Sequence, residues 1–219
     1  MQDDSAPAYE TLCLPAGAPG ALERAVEALQ VGEVVAFPTD TVYGIGAHAL
    51  LPDAVERLYG VKDRPEWMAI PLLLADAAAI EEICTNIPPV AWQLAKRFWP
   101  GGLSLVLHRA AVVPDVVTAG RLTVAVRVPD QPLVWELCRR LGAPLAATSA
   151  NRHGRPAPVT AGEVAAGLEG RIPLILDGGL CPGGVASTIL DLTVSPPVIL
   201  RAGPVRAEQL GGVVRLQGS

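Results

Sequence analysis

Residues 34–46 constrain the fold of this chain more than any other stretch. The short apolar run 34–37 is typical of a buried β-strand. Pro38 ends that strand, because proline lacks the N–H that a central strand needs. Two threonines, an aspartate and a tyrosine follow, and then Gly44 and Gly46, which permit close backbone approach. The pattern predicts a core strand that delivers hydroxyls and a carboxylate to an open edge, where α/β proteins bind ligands. An ordinary polar turn is the alternative.

Strand-like and helix-like segments alternate along the rest of the chain. About eight apolar, β-branched runs are interleaved with five or six helical patterns, which predicts an α/β or α+β domain with a large mixed sheet. Capping boxes predict two helix starts, at Asp53 with Glu56 and at Thr160 with Glu163. We expect residues 1–19 to form a flexible arm with at most one short strand, residues 20–205 the domain, and residues 206–219 a tail.

Composition excludes several classes of protein. The 219 residues carry a net charge of −5, so a strongly basic nucleic-acid surface is not expected, although a local basic cleft remains open. The four cysteines show no CxxC spacing, which argues against a zinc site and a disulfide framework. No apolar run approaches the roughly 18 residues of a membrane span, and no signal peptide is visible. The sequence therefore predicts a cytoplasmic protein without membrane contact.

Loops after several predicted strands carry cations and small hydroxyls. Lys62 and Arg64 are two residues apart, so in an extended loop they point the same way and could hold one polyanion. Ser149 and Asn151 share that spacing and could face the same site as donors. A solvated surface pair and a simple asparagine turn are the respective alternatives. Because GxxxxGK[ST] and GxGxxG are both absent, a nucleotide site would need separate loops.

No nucleophilic triad or histidine metal motif is visible in the sequence. GxSxG and HExxH do not occur, and the three histidines lack partners at ligand spacing. A reaction that depends on positioning and charge stabilisation therefore fits better than covalent catalysis.

Seven motifs, in order, resemble those of the YrdC-like threonylcarbamoyl-AMP synthase family. They are residues 38–44 (PT[ED]TVYG), 62–65 (KxRP), 99–104 (WPGPLT), 126–130 (VRxPD), 149–151 (SAN), 184–188 (GxxST) and 200–203 (LRxG). Four positions depart from the family pattern. Gly102 replaces a usual proline, Ser104 a usual threonine and Gln131 a usual histidine, and Met68 stands where many relatives carry a lysine.

The resemblance implies a twisted open mixed sheet with flanking helices around a large cationic cavity. It implies synthesis of threonylcarbamoyl-AMP and pyrophosphate from ATP, L-threonine and bicarbonate, with Mg²⁺ expected and no metal-binding side chains assigned. A separate tRNA threonylcarbamoyl-transferase complex would then modify the adenosine next to the anticodon, giving t6A. The chain length resembles the short, single-domain form of the family.

The resemblance also implies roles for individual residues. Lys62 and Arg64 would be catalytic. The residues implied for ATP binding are Lys62, Arg64, Ser149, Asn151, Ser187 and Arg201. Those implied for threonine binding are Thr39, Tyr43, Thr123 and Arg127.

Two other functions stay open at this point. One is a double-stranded RNA or ribosome-binding module, because a cationic cavity attracts RNA, and weak RNA binding would then be expected. The other is a carbamoyl-transfer domain like that of hydrogenase-maturation proteins, whose zinc-finger and acylphosphatase-like segments are missing here.

Overall fold

A computed structural model describes residues 9–183 and 185–217. Helices and strands alternate along this part of the chain, as the apolar pattern predicts. The strands are β1 (Leu12–Pro15), β2 (Val35–Phe37), β3 (Gly44–His48), β4 (Leu72–Leu73), β5 (Cys84–Thr85), β6 (Leu103–Arg109), β7 (Thr123–Arg127), β8 (Leu145–Ser149), β9 (Leu174–Asp177), β10 (Thr188–Asp191) and β11 (Val198–Arg201). The helices are α1 (Ala21–Gln30), α2 (Pro52–Lys62), α3 (Ile80–Ile83), α4 (Pro89–Phe98), α5 (Asp115–Thr118), α6 (Pro132–Leu141), α7 (Ala161–Leu168) and α8 (Ala207–Gly211).

All of these strands join one mixed sheet. Their order is β1-β9-β2-β3-β8-β4-β7-β6-β10-β11, and β5 pairs with β6 beside this path. Four neighbouring pairs are parallel, namely β1–β9, β2–β9, β4–β7 and β6–β10, and the others are antiparallel. The sheet stays open, with β1 and β11 at its edges. The predicted fold class, a mixed open sheet with flanking helices, is confirmed.

Helices cover both faces of the sheet. On one face, α1 and α6 pack on a cluster that includes Phe37, Leu73 and Leu145. On the other face, α2, α4 and α7 bury a larger cluster around Ile45, Leu72 and neighbouring strands. None of the described helices combines the length and apolar character that a bilayer crossing requires.

One predicted helix start is confirmed and the other is wrong. The Thr160 side chain accepts a hydrogen bond from the Glu163 N–H at 3.2 Å, and the Glu163 side chain accepts from the Thr160 N–H, so this capping box forms. Helix α2 instead begins at Pro52, with Leu51 as its N-cap and no side-chain cap. Proline suits the first helical position, so Asp53 falls inside the first turn.

Parts of the predicted arm and tail belong to the folded body. Strand β1 pairs in parallel with β9, and Thr11 Oγ1 donates to the Ile172 carbonyl at 2.6 Å. In the predicted tail, Leu210 and Leu216 are buried. Residues 1–8 and 218–219 lie outside the described residues. The boundaries at residues 20 and 205 stay a prediction.

Candidate functional site

Ser149 and Thr123 lie level with each other on one face of the sheet. Leu72 of β4 pairs with Ala146 of β8 on one side and with Val126 of β7 on the other. Ser149 lies three residues after Ala146, and Thr123 lies three residues before Val126. Because β8 runs antiparallel and β7 parallel to β4, both residues are displaced toward the same end of the sheet, about 10 Å apart across two strand spacings. Because side chains alternate along a strand, both project from the face opposite Leu72. We call this face the site face.

Lys62, at the last position of α2 on the opposite face of the sheet, reaches the end of β8 beside Ser149. Its side chain is 2% exposed, and Nζ donates to the backbone carbonyls of Ser149 and Asn151. Burial, and next the repulsion of Arg64, lower the Lys62 pKa from 10.5 to about 7. Asp63 follows in a left-handed conformation, with φ of 52°, and so turns the chain out of the helix. We call Lys62, Arg64, Ser149 and Asn151 the lysine end.

Arg64 is also held by backbone carbonyls. Its Nε donates to the Met68 carbonyl at 3.2 Å, and Nη2 donates to the Ala69 carbonyl at 3.0 Å. Burial lowers the pKa of Arg64, and the Tyr59 hydroxyl partly opposes that shift. Within residues 9–183 and 185–217, neither Lys62 nor Arg64 forms an ion pair with a carboxylate. Their positive charge is therefore available to an anion.

Asn151 offers an acceptor, and this corrects the expectation that it faces the site as a donor. Its Nδ2 donates to the carbonyls of Arg152 at 2.9 Å and Arg155 at 2.7 Å, which fixes the orientation of the amide. Its Oδ1 is buried and has no partner among the described residues. A buried acceptor without a partner is costly, so this oxygen suits a ligand that donates a hydrogen bond. The predicted ATP-binding role of Asn151 stays a prediction.

Arg127 ends β7 on the same face, and it is held by a carboxylate. Its Nε donates to the Gly101 carbonyl at 2.8 Å, and Nη2 donates to both oxygens of Asp40 at 2.6 and 2.7 Å. The side chain is nearly buried, which lowers the pKa of Arg127, while Asp40 opposes that shift. The charge of Arg127 is therefore already balanced by the loop after β2. Its predicted threonine-binding role stays a prediction.

Arg201 and Ser187 lie next to this pair. Arg201 donates through Nε to the Ser187 carbonyl at 2.9 Å and through Nη2 to the Ser187 hydroxyl at 3.1 Å. Burial lowers the pKa of Arg201, and so does the charge of Arg127, which shows that the two guanidinium groups are close enough to interact. We call Asp40, Arg127, Ser187 and Arg201 the arginine end. The ATP-binding roles of Ser187 and Arg201 stay predictions, and Gly184 of the same motif lies outside the described residues.

The hydroxyls of Thr39 and Tyr43 hold the loop between β2 and β3. Thr39 Oγ1 donates to the Val42 carbonyl at 2.6 Å and accepts from the Thr41 N–H at 3.1 Å. The Tyr43 hydroxyl donates to the Gly179 carbonyl at 2.8 Å and accepts from a neighbouring N–H, and burial raises its pKa to about 12. A direct contact of either hydroxyl with threonine stays a prediction. Through these hydrogen bonds, Thr39 and Tyr43 fix the conformation of the loop between β2 and β3.

Two cavities lie elsewhere on the molecule. One of about 450 Å³ lies between α3 and the end of α6, and one of about 510 Å³ lies beside β5 and α5. Residues of the lysine end and the arginine end line neither of them. The cations and hydroxyls of the site face are therefore the stronger basis for a function.

The sequence reasoning missed the role of one buried hydroxyl. Ser104 of β6 lies with its Oγ 2.8 Å from the Ser187 Oγ. It was visible only as a departure from a family motif, and a serine within an otherwise apolar strand was the available signal.

Fold and site together define an α/β protein whose candidate site suits anionic small molecules. Cations and small hydroxyls lie at or beside the ends of several strands of a mixed sheet. The residues that the structure describes contain no cluster of three or more histidine, cysteine or acidic side chains that could hold a metal. Such a site matches phosphate and carboxylate groups.

Comparison with known proteins defines the family. The model of the Sua5/YciO/YrdC family, described as telomere recombination, matches residues 27–203, and the chain belongs to this family. The threonylcarbamoyl-AMP synthase of Pyrococcus abyssi is 45% identical over 85% of this chain and 55% of its own length. A Mycobacterium tuberculosis relative is 39% identical over 87% of each chain. The crystal structure of P. abyssi Sua5 complexed with L-threonine superposes with a TM-score of 0.88 and 40% identity, covering 94% of this chain and 62% of that one. The chain thus spans little more than half of the P. abyssi relative.

Proposed function

We propose that this chain makes threonylcarbamoyl-AMP and pyrophosphate from ATP, L-threonine and bicarbonate. The observation that carries the proposal is the lysine end, where Lys62 is buried and Arg64 half-buried, and neither has a carboxylate partner in the described chain. A polyphosphate would supply the missing negative charge. Membership of the family and the threonine-bound relative support the choice of substrates.

The reaction needs no protein nucleophile. The threonine amine, once deprotonated, adds to CO2 with release of one proton, or to bicarbonate with loss of water, and gives N-carboxythreonine. An oxygen of the new carboxylate attacks the α-phosphorus of ATP, the bond to the bridging oxygen breaks, and pyrophosphate leaves with the electron pair. Lys62 and Arg64 stabilise the charge that develops on the phosphates.

Mg²⁺ fits this site through the nucleotide. Magnesium is usually held by one or two carboxylates together with substrate phosphates and water. Asp40 is the carboxylate of the site, and it is already paired with Arg127. Mg²⁺ would therefore arrive on the phosphates of ATP and neutralise part of their charge when bound.

The remaining groups suit the rest of the two substrates. The Asn151 Oδ1 acceptor fits a nucleoside hydroxyl or amine. The hydroxyls of Ser149 and Thr123 and the guanidinium of Arg127 fit the polar groups of an amino acid. Thr39 and Tyr43 hold the loop that closes this part of the site.

We also propose that the product goes to a tRNA threonylcarbamoyl-transferase complex for t6A formation in the cytoplasm. A hand-over partner is expected, because a mixed acyl-phosphate anhydride is reactive toward water. The catalytic domain would comprise residues 20–205.

Pyrophosphate release from ATP by the purified protein tests the function, with threonine and bicarbonate added singly and together. Release that requires both substrates is expected. ATP cleavage indifferent to threonine would point to another acceptor. Salt-sensitive RNA binding without ATP turnover would favour the RNA-binding alternative.

A further inference from the structure

Ser104 is a buried hydroxyl inside an apolar strand. It follows Leu103 and precedes Leu105 in β6, where both leucines are buried, and only 2% of the surface of Ser104 is exposed. Its Oγ is 2.8 Å from the Oγ of Ser187. Among residues 9–183 and 185–217, Ser187 is the one hydrogen-bond partner of this hydroxyl. A hydroxyl buried so deeply is expected to form a hydrogen bond, here with Ser187.

Ser187 receives donors from two directions. Arg201 donates through Nη2 to the Ser187 Oγ at 3.1 Å, and it fixes the Ser187 backbone through a second bond to the carbonyl. This occupies one of the two acceptor positions of the hydroxyl. Ser104 approaches the same oxygen from β6, so the Ser187 Oγ is held between β6 and β11.

The direction of the serine–serine hydrogen bond follows from burial. If Ser187 donated to Ser104, the proton of Ser104 would be buried without an acceptor in the described residues. If Ser104 donates, its proton is satisfied and the second acceptor position of Ser187 is filled. The O–H of Ser187 is then free to point away from both partners. Of the two serine hydroxyl protons, only that of Ser187 can then be donated to a ligand.

We propose that Ser104 is a positioning residue that turns the Ser187 O–H toward an anionic oxygen of a substrate. The inference deepens the proposed function and rests on it for the identity of the substrates. The oxygen belongs to a phosphate of ATP or to the carboxylate of threonine. The neighbouring charge of Arg201, which has no carboxylate partner among the described residues, favours either anion.

Calorimetric binding to the whole protein tests the inference with tripolyphosphate, ATP and L-threonine as separate probes. Ser104→Ala is expected to weaken binding of at least one probe about five- to tenfold, because one oriented hydrogen bond is lost. Ser104→Thr keeps the hydroxyl and is expected to restore the affinity to within about twofold. Loss with tripolyphosphate and ATP assigns the oxygen to phosphate, whereas loss with threonine alone assigns it to the carboxylate.

A double-mutant cycle separates positioning from packing. In a Ser187→Ala background, Ser104→Ala should have no further effect on binding, because the hydroxyl that it orients is gone. Additive losses, or unchanged affinity for all three probes in Ser104→Ala, would overturn the inference. If Ser104→Ala fails to fold, Ser104→Cys replaces it, since a thiol of similar size is a weak donor. Tripolyphosphate binding can be measured even if the protein does not synthesise threonylcarbamoyl-AMP. Failure of the proposed reaction is therefore distinguishable from failure of the positioning role of Ser104.

Discussion

The lysine end and the arginine end of the site face hold their cations in different ways. At the lysine end, backbone carbonyls surround Lys62 and Arg64, and the nearby carboxylate of Asp63 pairs with exposed arginines instead. At the arginine end, Asp40 binds Arg127 directly through both oxygens. Carbonyl dipoles satisfy hydrogen bonds without cancelling charge, whereas a carboxylate does both.

The difference assigns a separate task to each end. An uncompensated buried cation is unfavourable alone and favourable with an anion, so the lysine end is built to gain from a polyphosphate. A compensated pair gains little from another anion, so Asp40 and Arg127 are better suited to fixing the loop. Arg201 of the same end has no carboxylate partner among the described residues, so its charge can still meet an anion. The lowered pKa of Lys62, about 7, is the electrostatic sign of this imbalance.

The strongest test of the comparison is to remove the uncompensated charge. Lys62→Met keeps most of the side-chain stem and is expected to reduce threonine-dependent pyrophosphate release about a hundredfold, because charge on the phosphates loses its partner. Lys96→Met, an exposed lysine on α4, is the matched control and should keep wild-type rates. Equal activity of the two variants would remove the basis for distinguishing the lysine end.

Removing the compensating carboxylate should affect stability. Asp40→Asn leaves Arg127 nearly buried without a counter-charge and should lower the free energy of unfolding by about 3 kcal/mol. Asp63→Asn removes the shared, solvent-accessible partner of Arg152 and Arg171, and about 0–1 kcal/mol is expected for each pair. Urea titration of both variants makes the comparison. Similar losses of unfolding free energy in the two variants would mean that burial does not make the Asp40 ion pair more important for stability than the Asp63 ion pairs.

The pH dependence of stability provides a further test of the lysine end. Because the pKa of Lys62 is lower folded than unfolded, the unfolded chain binds more protons between about pH 7 and 10.5, and stability rises with pH across this window. Relative to Lys62→Met, the free energy of unfolding of the wild type should rise by about 2 kcal/mol between pH 7 and 9. The rise per pH unit is at most about 1.4 kcal/mol. Urea unfolding at both pH values measures the difference. A gap that stays constant would show that the folded protein does not depress this pKa.

The smallest expected effect concerns a hydroxyl that lies level with Ser149. Thr123→Val should raise the KM for threonine about fivefold, equivalent to one lost hydrogen bond, with little change in the KM for ATP. Thr85→Val is the control, since Thr85 is exposed and pairs with His108 of β6 from strand β5. Initial rates at varied threonine distinguish the two. Identical KM values for both variants would take Thr123 out of the threonine pocket.

Local signals in the sequence predicted local structure well. The Thr160 and Glu163 capping box forms as expected, because both partners lie within one helical turn. The same signal failed at Asp53, where the preceding proline starts the helix and the N-cap is Leu51, two residues before the predicted cap. The family motifs pointed to Lys62 and Arg64, whose catalytic role stays a prediction, because residue type and order are properties of the chain itself.

The sequence by itself determined the family, the alternation of strands and helices, and the residue types available to the site. Only the tertiary structure decided which of these groups are free to meet a ligand. Thr39 and Tyr43 carry suitable hydroxyls, yet their hydrogen bonds are used within the protein, and the Tyr43 partner lies 136 residues away. Asn151 likewise changed from an expected donor to an acceptor. The physical reason is that hydrogen bonds and counter-charges are shared among distant segments, and a motif specifies a side chain without specifying its partner.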